Sequence, residues 1–341
     1  MPGNHGLFRM VLIPADISLR DEKRCSIISC SRSLRRLFLY FISRKGAVAL
    51  GSENNMKITN LFNTKKHVIS FEVFPPKISS PFETVLEAVD ALHVLKPDFI
   101  SVTYGAGGTT SDKTLELAHH IKEELGIETL AHLTCITNSL TLTEQILDKL
   151  TALNLENILA LRGDPPQDLT STPRNIHASD LIKQIKQRQN FCIAAAAYPE
   201  GHPETLDRQQ DLRYLKTKTD AGAEFLITQI VFDNDYLKTF REDAYALGIK
   251  VPISVGIMPV FSASQIKHIS NLCGATLPKA LQTMLEKYSH NQDALQSAGI
   301  EYACRQIDDL LANGFEGIHI YTMNRPLLAR ALLSGTGLAQ L

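Results

Sequence analysis

The sequence predicts an α/β protein built as a closed (β/α)8 TIM barrel with extra helices before the last strand. Three observations carry that prediction. Short β-rich runs alternate with amphipathic helical stretches from His67 onward. Several of those runs are almost continuously apolar, as strands buried on both faces must be. Polar residues recur at the C-terminal ends of the runs, where such a barrel collects its chemistry.

The strands are expected at His67–Val73, Asp98–Tyr104, Thr129–Cys135, Asn157–Arg162, Phe191–Tyr198, Glu224–Phe232, Val251–Ile257 and Gly317–Thr322. Between the first two, Phe82–Leu95 repeats apolar residues at Val85, Leu86, Val89, Leu92 and Leu95, the three-to-four spacing of a helix with one buried face. Leu140–Leu153 is a second such stretch, opened by Thr141 or Thr143 as a cap with Glu144 nearby. Pro97, Gly126, Gly222 and Gly248 stand where helices should stop. Strand starts are spaced by roughly 30 residues until the seventh; about 60 residues then intervene, holding two extra helices at Pro278–Tyr288 and Asp293–Ala312.

The chain has 341 residues, 44% apolar and 21% charged, which excludes global disorder and fibrous architectures. Lys and Arg total 35 against 36 Asp and Glu, so the basic surplus of a nucleic-acid binder is missing. No run approaches the roughly 18 apolar residues of a membrane span. The six cysteines (25, 30, 135, 192, 273 and 304) are scattered without a CxxC pair, as expected for reduced thiols in a cytoplasmic protein without a structural metal. Residues 1–55 differ in kind: nine Lys/Arg against four acids make them +5, and 26 basic against 32 acidic residues leave −6 for the remainder. They are expected to be a basic, disordered extension, with Met56 as the natural start of a catalytic domain covering residues 56–341.

The expected strand ends carry the candidate chemistry. In Ser70-Phe-Glu-Val-Phe-Pro-Pro76, alternation points Glu72 toward the barrel axis, opposite Phe71 and Val73. A carboxyl among Phe and Pro should have a raised pKa and suit a general acid; the alternative is a carboxylate satisfied by a neighbouring Arg. Tyr104-Gly-Ala-Gly-Gly-Thr-Thr110 reads as a tight turn capped by Thr109 or Thr110, or as a loop approached by a ligand edge. In Ala160-Leu-Arg-Gly-Asp-Pro-Pro166, Gly163 would admit a planar group and Asp164 would set a fixed charge beside it; a loop Arg–Asp pair is the alternative. Tyr198-Pro-Glu-Gly-His-Pro203 ends the fifth strand with an aromatic and His202, which alone would be an ordinary loop residue. Asp211, Lys216 and Lys218 would by spacing alone be a solvated helix face.

Eight segments taken in order resemble 5,10-methylenetetrahydrofolate reductase of the single-domain bacterial type. They are Ser70–Pro76, Ser101-Val-Thr-Tyr-Gly-Ala106, Ala131-His-Leu-Thr-Cys135, Leu161–Pro166, Ala197–Pro203, Ile227-Thr-Gln-Ile-Val-Phe-Asp233, Gly256-Ile-Met-Pro-Val260 and Tyr321-Thr-Met-Asn-Arg325. The resemblance covers about residues 57–335. It implies a barrel holding FAD non-covalently, reduced by NADH or NADPH, with NADH favoured. 5,10-Methylenetetrahydrofolate would then be reduced at the same face in a ping-pong cycle, supplying methyl groups for methionine synthesis. Glu72 is implied as the acid that protonates folate N10, and Asp164 as a carboxylate near the flavin N1/O2 edge. Thr103, Tyr104, Ala106, His132, Arg162, Gly163, Asp164, Ala178, Tyr198, His202, Asp211 and Lys218 are implied to bind the flavin. Gln229, Gln265 and Arg325 are implied to bind substrate. A cytoplasmic homo-oligomer without metal, membrane or nucleic-acid partner is implied too, without feedback inhibition by S-adenosylmethionine. This chain departs from the pattern at His177, Tyr214, Thr217 and Ile269, positions that bear on FAD binding and on the choice between NADH and NADPH.

Overall fold

β1 (Val68–Val73) opens a sheet whose strands pair in chain order until β8 (Gly317–Tyr321) returns to it, so eight parallel strands close on themselves. The computed structural model describes residues 57–76, 81–104, 111–164, 176–188, 190–205 and 207–340. The segment 1–55 and Ala106 therefore lie outside the described residues. The other strands are β2 (Phe99–Val102), β3 (Glu128–Thr134), β4 (Asn157–Leu161), β5 (Cys192–Ala197), β6 (Phe225–Thr228) and β7 (Ile253–Ile257). This is the expected TIM barrel.

Each strand splits its residues between two environments. Phe71, Val73, Ile100, Val102, Ile158, Ile193, Val255 and Ile318 face outward into the main core beneath the helices. The helices of that layer are α2 (Phe82–His93), α3 (Ser111–Leu125), α4 (Leu140–Ala152), α5 (Ala178–Lys186), α6 (Arg208–Asp220) and α7 (Asn234–Ala246). Val68, Phe99, Leu130, Leu159, Cys192, Ala194, Phe225 and Ile227 face inward as an apolar layer of their own. A short helix not anticipated from the sequence, α1 (Ile58–Thr64), inserts Ile58 and Leu61 into that layer and sets Phe62 5.5 Å from Phe225. The Ile58 N–H donates to Asn157 Oδ1 at 2.9 Å, which fixes α1 to the start of β4. Burying a Leu, Ile or Phe side chain contributes about 1.5–3 kcal/mol, so this plug is a substantial part of the barrel floor.

Several boundaries differ from expectation for local reasons. Asp98 is not in β2: its carboxylate accepts the Ile69 N–H at 2.7 Å while its own N–H donates to Ile69 O. The run expected as one strand through Phe232 stops at Thr228, because the Gln229 side chain accepts the Ile230 N–H at 2.8 Å and turns the chain. α4 is capped by Ser139, whose Oγ accepts the Leu142 N–H at 3.1 Å, and not by Thr141 or Thr143. Among the described residues, no helix is long and apolar enough to cross a membrane.

The long insertion before β8 holds α8 (Ala263–Cys273), α9 (Lys279–Lys287) and α10 (Gln292–Ala312), with α11 (Pro326–Gly335) following the strand. α9 and α10 are the two expected extra helices. With the segment after β6 they build a third, separate apolar cluster around Ile230, Phe232, Met258, Val260, Ile266, Leu281, Leu285 and Leu295. α10 approaches the barrel so closely at Gly299 that a Cβ there would lie 1.9 Å from the Val260 carbonyl oxygen. Gly299→Ala improves helix propensity by about 1 kcal/mol, but overpacking costs about 1–3 kcal/mol and a contact this short lies at the upper end. The variant is expected to lose about 2 kcal/mol net of stability in urea titration. Equal or greater stability would mean that α10 does not sit this close to Val260.

Candidate active site

Glu72 is second to last in β1, paired in register with Ser101 of β2 and Tyr321 of β8. Its side chain is inside the barrel and only 9% exposed. The neighbours are imidazoles and a hydroxyl, not the aromatic and proline surroundings expected, and not an Arg. His132 Nε2 lies 3.6 Å and His319 Nε2 3.5 Å from Glu72 Oε2, and Ser101 Oγ donates to the same oxygen at 3.5 Å. Behind them, Ser70 Oγ and His319 Nδ1 share a hydrogen bond of 2.7 Å, which aims the other imidazole nitrogen at Glu72. Thr322 Oγ1 donates to the Glu72 carbonyl at 2.6 Å and locks the strand end. Contacts of 3.5 Å and more are at or beyond the usual hydrogen-bond range, so the carboxyl is surrounded without being tightly held.

Burial holds the His132 pKa down to about 4; the Glu72 charge opposes this and His319 adds to it. His132 is therefore neutral near neutral pH, and its Nε2 has no hydrogen-bond partner among the described residues. Tyr321 stands beside His319 in an edge-on contact at 5.3 Å and donates to Thr228 O at 2.8 Å. Its hydroxyl is raised well above its ordinary pKa, first by burial and then by Glu72. Tyr321 is thus committed to a structural hydrogen bond.

A second group gathers around the loops after β4 and β5. Arg162 pairs with Glu204 through two bonds of 2.5 and 2.8 Å, not with Asp164 as the loop-pair alternative had it. That pairing raises the Arg162 pKa and lowers that of Glu204. Gly163 adopts φ +85°, and a Cβ there would meet Thr134 at 3.0 Å and Ile136 at 3.2 Å. Glycine is therefore required by the packing of its own loop, where the expectation was a planar visitor. Asp164 is exposed, and its charge is felt by Tyr198 and Cys273. The Tyr198 ring meets His202 edge-on at 4.6 Å and has the Lys218 ammonium 5.8 Å from its centroid. Burial together with Asp164 pushes its hydroxyl up to about 12. Lys218 donates to Ala196 O at 2.9 Å, and burial lowers its pKa while raising that of Asp211 nearby. Asp211 and Lys218 thus form a half-buried pair turned toward the β5 loop, and not a solvated face.

The remaining expected residues are placed more loosely. Gln229 and Tyr198 line one small cavity together with Glu200 and Cys273. Thr103 O accepts from Thr114 Oγ1 at 3.0 Å, and Tyr104 OH accepts from Asn138 at 3.5 Å. Ala178 begins α5 after His177, whose N–H is held by Asp180 at 3.1 Å. Gln265 lies in the first turn of α8, and Arg325 stacks over Phe261 with its guanidinium carbon 4.4 Å from the centroid. Of the departures, Tyr214 is an exposed side chain of α6 and Ile269 packs into the third apolar cluster. His319, Ser101, Ser70 and Glu204 were missed by sequence reasoning. Period-2 counting back from Tyr321 would have placed His319 on the inner face; nothing local marks Glu204 as the partner of Arg162.

The depressed His132 pKa sets the sign of one pH effect. Between its ordinary value of 6.5 and about 4, the unfolded chain binds a proton that the folded chain refuses, so stability falls as pH is lowered through that window. Urea titrations at pH 7 and pH 5 are expected to show a smaller loss in His132→Gln than in the parent chain. Identical losses would place the sensitivity elsewhere.

Relatives extend this picture. A 5,10-methylenetetrahydrofolate reductase of Pectobacterium carotovorum subsp. carotovorum is 37% identical over 269 residues, covering 79% of this chain and 90% of that protein. The methylenetetrahydrofolate reductase (NADH) 1 of Arabidopsis thaliana is 34% identical over 297 residues, covering 83% of this chain; the chain spans about half the length of that relative. Among solved structures, an uncharacterized protein from Clostridium thermocellum that binds two copies of 5-methyl-5,6,7,8-tetrahydrofolic acid matches with a TM-score of 0.60. That match covers 82% of this chain and 96% of the other at 16% identity, a likeness of fold alone. A family model for methylenetetrahydrofolate reductase matches residues 57–337, so the chain belongs to the methylenetetrahydrofolate reductase family.

Proposed function

We propose that this chain reduces 5,10-methylenetetrahydrofolate to 5-methyltetrahydrofolate, with NADH preferred as donor and FAD held non-covalently as the carrier between them. The observation that carries the reading is Glu72, a carboxyl on the barrel axis beside a neutral, buried His132. Opening the methylene bridge requires a proton on the departing folate nitrogen. A general acid has to carry the proton to that nitrogen, and a neutral His132 sets no imidazolium charge beside the Glu72 carboxyl. Ser101 and His319 give the acid polar company on the axis without clamping it.

The residues suit a dinucleotide flavin. His132 Nε2 is a buried polar atom without a hydrogen-bond partner among the described residues, available to the edge of a ring system. Arg162 and Lys218 bring basic groups near Tyr198, and His202 lies edge-on to the same ring, surroundings that suit a phosphate-bearing ligand. FAD when bound would supply the hydride chemistry, accepting from the nicotinamide and giving to the folate. Asp164 would place a negative charge near it, and Gln229 would hydrogen-bond the pterin or the nicotinamide in turn. Gln265 and Arg325 would hold the rest of the folate. The catalytic unit is proposed to begin near Met56: a chain started there should retain bound flavin and turnover, and loss of either would assign residues 1–55 a part in folding or catalysis.

Glu72→Gln separates the two halves of the reaction. Reduction of the flavin by NADH needs no proton on folate and should proceed at nearly the parent rate. Folate reduction should fall by about 10²–10⁴-fold, the usual worth of general acid catalysis. Stopped-flow absorbance of the flavin follows each half separately, and NADPH in place of NADH reads the donor preference. Equal slowing of both halves would make Glu72 a structural carboxylate and remove the reading's main support.

A further inference from the structure

We propose that Glu200 is a positioning residue that ties the cofactor loop to the substrate helix. Both its carboxylate oxygens accept the Thr276 backbone N–H, at 3.2 and 3.0 Å, across 76 residues of chain. Glu200 belongs to the loop after β5 that carries Tyr198 and His202. Thr276 belongs to the turn after α8, the helix that carries Gln265 and Ile269. The same loop and turn meet once more at Gly274, where a Cβ would lie 3.1 Å from Pro203 Cγ.

Three further observations make this tie more than a surface contact. The side chains beneath α8 belong to the third apolar cluster and not to the main core, so the strongest packing in the molecule does not set the position of the helix. A small cavity lined by Tyr198, Glu200, Gln229, Cys273 and Ala275 lies between the two segments. The Glu200 carboxylate spans it and adds a directed bond to the Pro203–Gly274 contact. Finally, a carboxylate accepting a main-chain N–H is charge-assisted and stronger than a neutral bond. Hydride transfer needs donor and acceptor faces aligned to a fraction of an ångström. Under the functional reading above, on which this rests, Glu200 keeps Gln265 at the correct distance from the flavin side of the site.

The test compares Glu200→Ala and Glu200→Gln in the full-chain holoenzyme. Apparent affinity scales with the fraction of molecules whose helix is in place. For a half-exposed, charge-assisted bond, Glu200→Ala is expected to raise the folate KM by about five- to tenfold. FAD content should be unchanged and kcat should move less than the KM. Glu200→Gln keeps one acceptor and should recover part of the loss. Hydrogen exchange is expected to quicken across residues 263–277 while the strands stay protected. An unchanged KM with unchanged exchange, or faster exchange throughout the barrel, would overturn the proposal. If the parent chain turned over no folate, the functional reading would fail alone, because the exchange measurement reads the tie whatever the substrate.

Discussion

A carboxylate on the axis of a closed barrel can be solvated only by what the other strands bring to it. Glu72 comes from β1, Ser101 from β2, His132 from β3 and His319 from β8, and all are buried. Removing such a group from water without partners costs several kcal/mol. The inner positions of four strands are therefore constrained together: each must be polar, of the right reach, and in a register that meets one oxygen atom. Parallel pairing supplies that register, since Glu72 opposes Ser101 on one side and Tyr321 on the other. The apolar inner layer nearer the strand starts is the counterpart, broken by few polar groups such as Asn157, which is used to hold α1.

The parts of this arrangement that depend on period and order were legible in the sequence. Strand count, the inward direction of Glu72 and the two extra helices follow from alternation and spacing, which the backbone enforces locally. What surrounds Glu72 was not legible. Its partners lie 29, 60 and 247 residues away, and only the closed sheet brings them within 4 Å. The same holds for Arg162, which finds Glu204 and leaves Asp164 free of it. α1 escaped notice because seven residues with three apolar side chains make a weak helical pattern on their own. Tertiary burial of Ile58 and Leu61, and not propensity, holds that helix in place.

The molecule divides its packing between two tiers. The main core fastens strands to the surrounding helices, and the strand ends that carry Glu72 and His132 inherit its rigidity. The cluster around Ile266, Leu281 and Leu295 is smaller and includes residues from the segment after β6 and from β8's edge, among them Ile230 and Tyr321. Satellite clusters of this kind open more readily than a main core. Under the proposed function the group that delivers the proton would stand on the rigid tier, and groups that grip exchangeable ligands on the softer one. That separation would suit the proposed cycle, in which one ligand is released and another admitted while the acid stays in place.

The α1 plug has a consequence for the traffic of protons. Ile58 and Leu61, with the apolar ring of Phe99, Leu130, Leu159 and Phe225 above them, make this layer of the barrel floor apolar. An apolar layer gives waters few polar partners along which a proton could be passed from below. Ligands would then enter at the C-terminal end of the strands, and whatever occupies that end would also cover Glu72. Under the proposed function Glu72 would be recharged from bulk solvent in the interval between one ligand leaving and the next arriving, so each cycle would carry its proton in with the exchange of ligands, as a lock on a canal admits water only between boats.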